Sequence, residues 1–270
     1  MTQSQKVIKY IAVVLAVGLI VCIVGGVLGV IGIYDTFFGE NSVCDEMRTY
    51  EVSDDICALD IEISAANITI KEGDAFSVES NLKNLTVKEK ACCLSLRQTD
   101  SSFGSSEDAV LIVTIPSGTV TGIGIQTGAG SFTAENLTAE TLNLHFGAGE
   151  VSIGTLVATE RVFIEGGTGR ITISDGALHD LDLDMGVGEL NLTSLLTGDC
   201  ELNTGVGKLN LNLIGVQEDY ALEIEKGIGK IYVDGEKVTD YGSFGNGENK
   251  IDIDGGIGAI NITFKEANIK

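Results

Sequence analysis

The sequence predicts an all-β chain: a parallel β-solenoid with coils of about 19–20 residues and Gly-x-Gly corners, preceded by one N-terminal transmembrane helix. Three observations predict it. Apolar and polar residues alternate strictly in stretches such as LDLDMGVGELNL, Leu181 to Leu192. The Gly-x-Gly that interrupts this alternation recurs in fixed phase. An uncharged apolar run extends from Tyr10 to Tyr34.

Alternation at a period of two marks a strand with one face buried. Glycines within it mark a sharp turn or a close approach of backbone. Gly-x-Gly occurs at Gly147/Gly149, Gly167/Gly169, Gly186/Gly188, Gly205/Gly207, Gly227/Gly229 and Gly256/Gly258. An apolar residue stands three before the first glycine of each copy and another two after the second. The pairs are Leu144/Val151, Ile164/Ile171, Leu183/Leu190, Leu202/Leu209, Ile224/Ile231 and Ile253/Ile260. The copies step by 20, 19, 19, 22 and 29 residues. A looser copy at Gly128/Gly130 precedes them, and a degenerate one in LDIEISAANITI carries Ser64 and Ala66 in place of the glycines. Repeats of this period stack so that each unit is covered by its neighbours. An antiparallel sandwich has no need of the same corner at the same phase.

The elements follow in order. Residues 1–34 hold a short cytoplasmic N-terminus and the anchor, and residues 35–55 a stalk. Residues 56–270 are the repeat ectodomain, with irregular N-terminal coils over 56–118 and regular repeats over 119–264. In the irregular part, SVESNLKNLTVKEKACCLSLRQ and DAVLIVTIPSG read as strands and turns, the second ended by Pro116. In each regular coil, strand one leads to the corner and strand two leaves it. The residue between the glycines (Ala148, Thr168, Val187, Val206, Ile228, Ile257) is expected to point into the core. A short third side contributes Leu137, Leu156, Leu195 and Ile214. An inserted loop or hairpin over 234–250, rich in Gly, Asp and aromatics, explains the 29-residue step and is expected to protrude.

The apolar run is long enough to cross a bilayer, which takes about 20 residues. Lys6 and Lys9 precede it, and Asp35, Glu40, Asp45 and Glu46 follow. The positive-inside rule places the N-terminus in the cytoplasm and the rest outside the cell membrane as a single-pass protein. A cleaved signal peptide would be shorter and end in a small-residue site. A lipoprotein signal ending at Cys22 is disfavoured by Val21 and by the apolar residues beyond it.

The formal net charge is −22, and all 39 Asp and Glu lie beyond residue 34. This excludes nucleic acid as a partner and argues against adsorption on anionic lipid. Cys22 lies in the span, and Cys57 and Cys200 fall in phase with inward positions as small core hydrophobes. Cys44, Cys92 and Cys93 remain, with no zinc-site spacing, and the redox state is left open.

Familiar catalytic signatures are absent. The two histidines, His145 and His179, belong to no nucleophile motif, and no G-x-S-x-G elbow occurs. GVGK at 205–208 lacks the earlier glycine of a phosphate loop. GGTG and GGIG are followed by Ile171 and Ile260 where a calcium nonapeptide repeat needs aspartate. No catalytic residue and no cofactor is assigned.

The outward positions form columns instead. Asp182, Glu201, Glu223 and Asp252 stack on strand one beside Glu165, Asp184, Asn203, Glu225 and Asp254. On strand two Glu150, Arg170, Glu189 and Lys208 alternate in sign, followed by Lys230. Beside them run Ser152, Thr172, Asn191, Asn210, Tyr232 and Asn261. The first face is a solvated carboxylate ladder. Its metal reading is weak Ca²⁺ binding by Asp182, Glu201, Glu223, Asp252, Asp184, Glu225 and Asp254, since adjacent rungs allow two carboxylates to share a hydrated cation.

The anchor, the V-x-I-P strand and the recurring L-x-L-x-x-G-x-G-x-I-x-I together resemble the putative-adhesin β-strand-repeat family. This is a domain of unknown function found in LiaG-like, membrane-anchored envelope proteins of Gram-positive bacteria. The resemblance covers roughly residues 56–264. It implies a sensing or scaffold role and carries over no catalytic or binding residue. The leading expectation is a non-enzymatic, single-pass envelope protein displaying an acidic β-solenoid as an adhesin-like binding or scaffold surface toward an envelope protein or cell-wall partner. The alternative is a regulatory partner in envelope-stress signalling acting through the membrane helix. A lower one is an enzyme on cell-wall glycans using paired carboxylates.

Overall fold

The computed structural model describes residues 43–53, 55–98, 108–118, 120–238 and 241–266. The expected membrane helix lies outside these residues. No helix among the described residues is long and apolar enough to cross a membrane. The described chain is all-β, a 14-stranded sheet folded as a solenoid-like stack, with one 3₁₀ turn at Gln217–Asp219.

The stack is parallel where the repeats predict it. β2 (Ala58–Ala65) and β3 (Asn67–Gly73) form the first coil and turn at Ser64–Ala66. They pair in register with β8 (Gly122–His179), a continuous path of 58 residues through successive coils. β9 (Leu181–Thr197) and β10 (Asp199–Ile214) follow, with Ile164 opposite Leu183 and Leu183 opposite Leu202.

The last two coils reverse their expected order. β14 (Asn249–Lys265) lies directly on β10, with Leu202 opposite Ile253 and Leu209 opposite Ile260. β11 (Tyr220–Val233) lies beyond it, with Ile253 opposite Ile224. The inserted segment supplies β12 (Glu236–Val238) and β13 (Tyr241–Phe244), which run antiparallel along the outer edge of β11. It covers that edge rather than protruding from it.

The N-terminal end is finished in the same manner. β6 (Cys93–Gln98) and β7 (Val110–Pro116) extend the two faces in parallel from β2 and β3. β5 (Leu85–Lys90) and β4 (Ser77–Leu82) then pair antiparallel on them, and β1 (Val43–Tyr50) pairs on β4. Antiparallel caps stop a repeat stack from offering its open edge to further strands.

The inward Leu and Ile of every coil form one buried cluster, with Leu183, Leu202, Ile253 and Ile224 fully enclosed. The corner departs from expectation. The residue between the glycines stays out of the core, with Val187 42% and Ile228 39% exposed and Val206 and Ile257 half-buried. The inward residue is the one before the first glycine, as Phe146 (7% exposed) and Met185 (5%) show. Between them in the column stands Gly166, where a Cβ would collide with Met185 Sδ and Ile171 Cδ1. On the third side Leu137 and Leu156 are buried as expected, but Leu195 is exposed and Ser194 and Leu196 take the interior.

The parity of the alternation explains the corner. Leu142, Leu144 and Phe146 face inward on strand one, and Val151 and Ile153 on strand two. An even series must become an odd one, which requires a break in the extended backbone. The second glycine provides it, with φ +141° at Gly149, +144° at Gly188 and +147° at Gly207. A Cβ at Gly207 would also fall on the carbonyl oxygen of Gly188, one coil below.

Cys57 is no core hydrophobe: it forms a disulfide with Cys92, with Cα atoms 5.1 Å apart. The bond ties the start of β2 to the start of β6, where Cys57 N–H also donates to the Cys92 carbonyl at 2.7 Å. Cys200 is buried as expected, and burial pushes its thiol up to about 11.

Candidate functional site

The carboxylate ladder is real as a column, in a different order from the sequence. The first file runs Asp182, Glu201, Asp252, Glu223, and the second Glu165, Asp184, Asn203, Asp254, Glu225. Neighbouring strands in a sheet lie about 4.8 Å apart, so each carboxylate stands close to like charges on its own and adjacent strands. Burial, then Asp184 and Glu201, raise the Asp182 pKa, while Arg161 acts against them. Asp252 is raised by burial, then by Asp254, Glu223 and Glu201. The second file forms one wall of an open groove of about 670 Å³ with a floor of corner glycines. The side chains stand in rows. Among the described residues no three His, Cys, Asp or Glu converge on a point that would hold a metal ion.

The opposite face is neutralised within itself. Arg170 bridges Glu150 at 3.3 Å and Glu189 at 3.4 Å, as the alternating signs predict. Lys208 follows, and β14 then places Ala259 between Lys208 and Lys230. Beside it Asn210 donates to Asn191 Oδ1 at 2.7 Å, and Asn261 donates to Asn210 Oδ1 at 2.7 Å.

A second groove, of about 610 Å³, lies on the strand-one face toward the N-terminal end. Gly122 and Gly124 line it together with Asp60, Thr141, Asn143, His145, Arg161 and Phe163. Phe163 occupies the column that continues as Asp182 in the next coil, so an aromatic ring marks the end of the ladder. The His145 ring lies 5.1 Å from that of Phe163, and its Nδ1 donates to Glu165 Oε2 at 2.8 Å. Glu165 stands in the expected acidic column, but no sequence motif singles out Phe163, Gly122 or Gly124. The available signal was an aromatic and two glycines at outward positions where later coils carry acids.

A family model described as Toastrack DUF4097 matches residues 56–241. The chain belongs to the Toastrack DUF4097 family. The Toastrack match ends before β14, so the coil inserted between β10 and β11 lies beyond it. No curated protein matches the chain. It is similar to the solved structure of a "putative cell adhesion protein" from Clostridium sporogenes, at 16% identity and TM-score 0.38, covering 82% of this chain and 99% of that one. It is also similar to a "putative adhesin" from Bacteroides fragilis, at 18% identity and TM-score 0.43, covering 80% and 96%. A third is a "putative lipid binding protein" from Parabacteroides distasonis, at 14% identity and TM-score 0.35, covering 83% and 98%. Likeness at these scores assigns no ligand to a Toastrack chain.

Proposed function

We propose that this Toastrack chain is a non-enzymatic, single-pass protein of the cell envelope that displays its acidic stack outside the membrane as a binding or scaffold surface. The observation that carries the reading is the pair of in-register acidic files from Glu165 to Glu225, presented in rows on a rigid parallel sheet. Such a face suits a partner with basic groups at a repeating spacing. The Cys57–Cys92 disulfide supports an oxidising location outside the cytoplasm. The uncharged run from Tyr10 to Tyr34 supports the anchor, and Lys6 and Lys9 its orientation.

A weak preference of the ladder for Ca²⁺ belongs to the same reading, because carboxylates on adjacent strands can share a hydrated cation. Thermal melting in millimolar Ca²⁺ should then exceed that in NaCl of equal ionic strength, and equal melting would leave screening alone.

The experiment compares cells carrying the full chain with cells carrying Glu201→Gln, Glu223→Gln and Asp254→Asn together. A photo-crosslinker at Asn203 should capture a defined envelope adduct in the first and lose it in the second. An adduct unchanged by neutralisation would sink the reading. Replacing the 1–34 segment by an unrelated anchor separates the regulatory alternative, which alone requires that particular helix.

A further inference from the structure

We propose that the groove floored by Gly122 and Gly124 is a binding site for a neutral oligosaccharide. The inference deepens the binding-surface reading, but the residues lining the groove lie outside the carboxylate ladder, which meets them only through Glu165 at His145 and Asp182 at Arg161, so either can fail without the other.

The glycines carry the argument. Both lie at the start of β8, alternating with the inward Ile123 and Ile125, and neither has a positive φ. A Cβ on Gly122 would meet only Thr141 Oγ1 at 3.4 Å, and one on Gly124 would meet Asp60 Oδ1 at 3.6 Å and the Leu59 carbonyl at 3.9 Å. These are close to ordinary contacts, unlike the backbone collisions at the corner glycines. The fold therefore does not require glycine at either position. Glycine within a strand weakens it and marks a bulge, a bend or a close approach of backbone or ligand. The register here is regular and no backbone is close, which leaves the approach of a ligand.

The walls specify the ligand. Phe163 is half-buried between Val162 and Ile164, which point inward, so one side of its ring faces the groove. The ring lies tilted at 49° to that of His145, itself held by Glu165. Asn143 and Thr141 add neutral hydrogen-bonding groups. The lining carries one carboxylate and one guanidinium: Asp60, paired at 3.0 Å with an Arg97 that also holds Glu62 at 2.8 Å, and Arg161, which interacts with Asp182. This neutrality contrasts with the ladder next to it and selects against simple cations and anions alike. A volume near 610 Å³ lies within the roughly 300–1,000 Å³ of small-ligand sites. A ligand with an apolar C–H face for the ring, hydroxyls for Asn, Thr and Asp, and no net charge is a hexopyranose. Because the groove is open along the stack, it accepts a chain of such units.

The test uses the full chain in a detergent without a sugar headgroup, titrated calorimetrically with cellohexaose and with the hexamer of N-acetylglucosamine. The wild type should bind at least one. Gly124→Val fills the floor with a good strand former and should melt no lower than wild type while losing about tenfold or more in affinity. Phe163→Thr removes the ring and should lose binding to the same degree, which decides the matter should Gly124→Val fail to fold. The ladder-neutralised variant should bind as wild type. Absence of binding to both probes, undiminished binding by a folded Gly124→Val or Phe163→Thr, or loss of binding in the ladder variant would overturn the assignment.

Discussion

Asn261 donates from Nδ2 to Asn210 Oδ1 at 2.7 Å, across 51 residues of sequence. Asn210 passes the bond to Asn191 at 2.7 Å, and beside it Thr263 donates to Asn212 at 2.7 Å and Asn212 to Thr193 at 3.1 Å. These bonds run unbroken through β9, β10 and β14. Stacking in sequence order would put Tyr232, which has no amide, next to Asn210 and would set Lys230 beside Lys208. Placing β14 in between continues the amide ladder and separates the lysines with Ala259. Satisfied side-chain networks of this kind specify one arrangement over close competitors.

The coil order is directly testable by cross-linking. Residues opposite each other on adjacent parallel strands lie within the Cα range of a disulfide. In a Cys44→Ser, Cys93→Ser background, Lys208→Cys with Ala259→Cys should form a bond under mild oxidation. Lys208→Cys with Lys230→Cys, two strands apart, should not. The reverse result, read by non-reducing gel mobility, would restore the sequential order.

Corner glycines should tolerate no side chain. Gly207 combines φ +147° with a Cβ position on the Gly188 carbonyl, and at Gly205 a Cβ would strike the Gly186 carbonyl. Gly207→Val is expected to cost about 3 kcal/mol or more from backbone strain and overpacking together. Gly205→Val, lacking the positive φ, should cost less. Gly235→Ala, with φ +80° and open space around it, should lose only about 1 kcal/mol. Urea titration gives all three, and equal costs would refute the steric account.

Acidity should relieve part of the ladder. The folded pKa values of Asp182 and Asp252 are raised above 3.8, so near that range the folded chain holds more protons than the unfolded one. Stability from these groups then falls as pH rises through the folded pKa. Asp182→Asn with Asp252→Asn should melt higher than wild type at neutral pH, by a margin that narrows as pH falls toward 3.8. A margin independent of pH would assign the effect to something other than ionisation.

The disulfide closes a separation of 35 residues, for which chain entropy gives about 2–4 kcal/mol. Cys57→Ser with Cys92→Ser should lose that amount, and hydrogen exchange should rise first in β2, β5 and β6. The buried Cys200 thiol should stay unreactive until the stack opens. Unchanged stability of the double variant would show that β2 and β6 hold together without the bond.

Much of the fold was legible in the residues. Fixed spacing around Gly-x-Gly identified the inward pairs, and Leu183 between Ile164 and Leu202 confirms the parallel register. The alternating signs of Glu150, Arg170 and Glu189 foretold their ion pairs. The direction of the residue between the glycines was misread because a period-two pattern says nothing about the backbone that inverts it. The N-terminal groove was passed over because outward glycines look alike in a sequence whether the fold needs them or not.

The chain by itself determined the inward Leu and Ile pairs that flank each corner, where each coil turns, and that coils stack in parallel, because periodicity and glycine placement are local properties repeated many times. Only the tertiary structure decided the position of β14, the Cys57–Cys92 pairing, the capping of β11 by β12 and β13, and the meeting of Phe163 with His145 above Gly122 and Gly124. Each of these depends on which of several equivalent edges a segment meets. That choice rests on long-range contacts, amide to amide and strand to edge, that no single repeat contains.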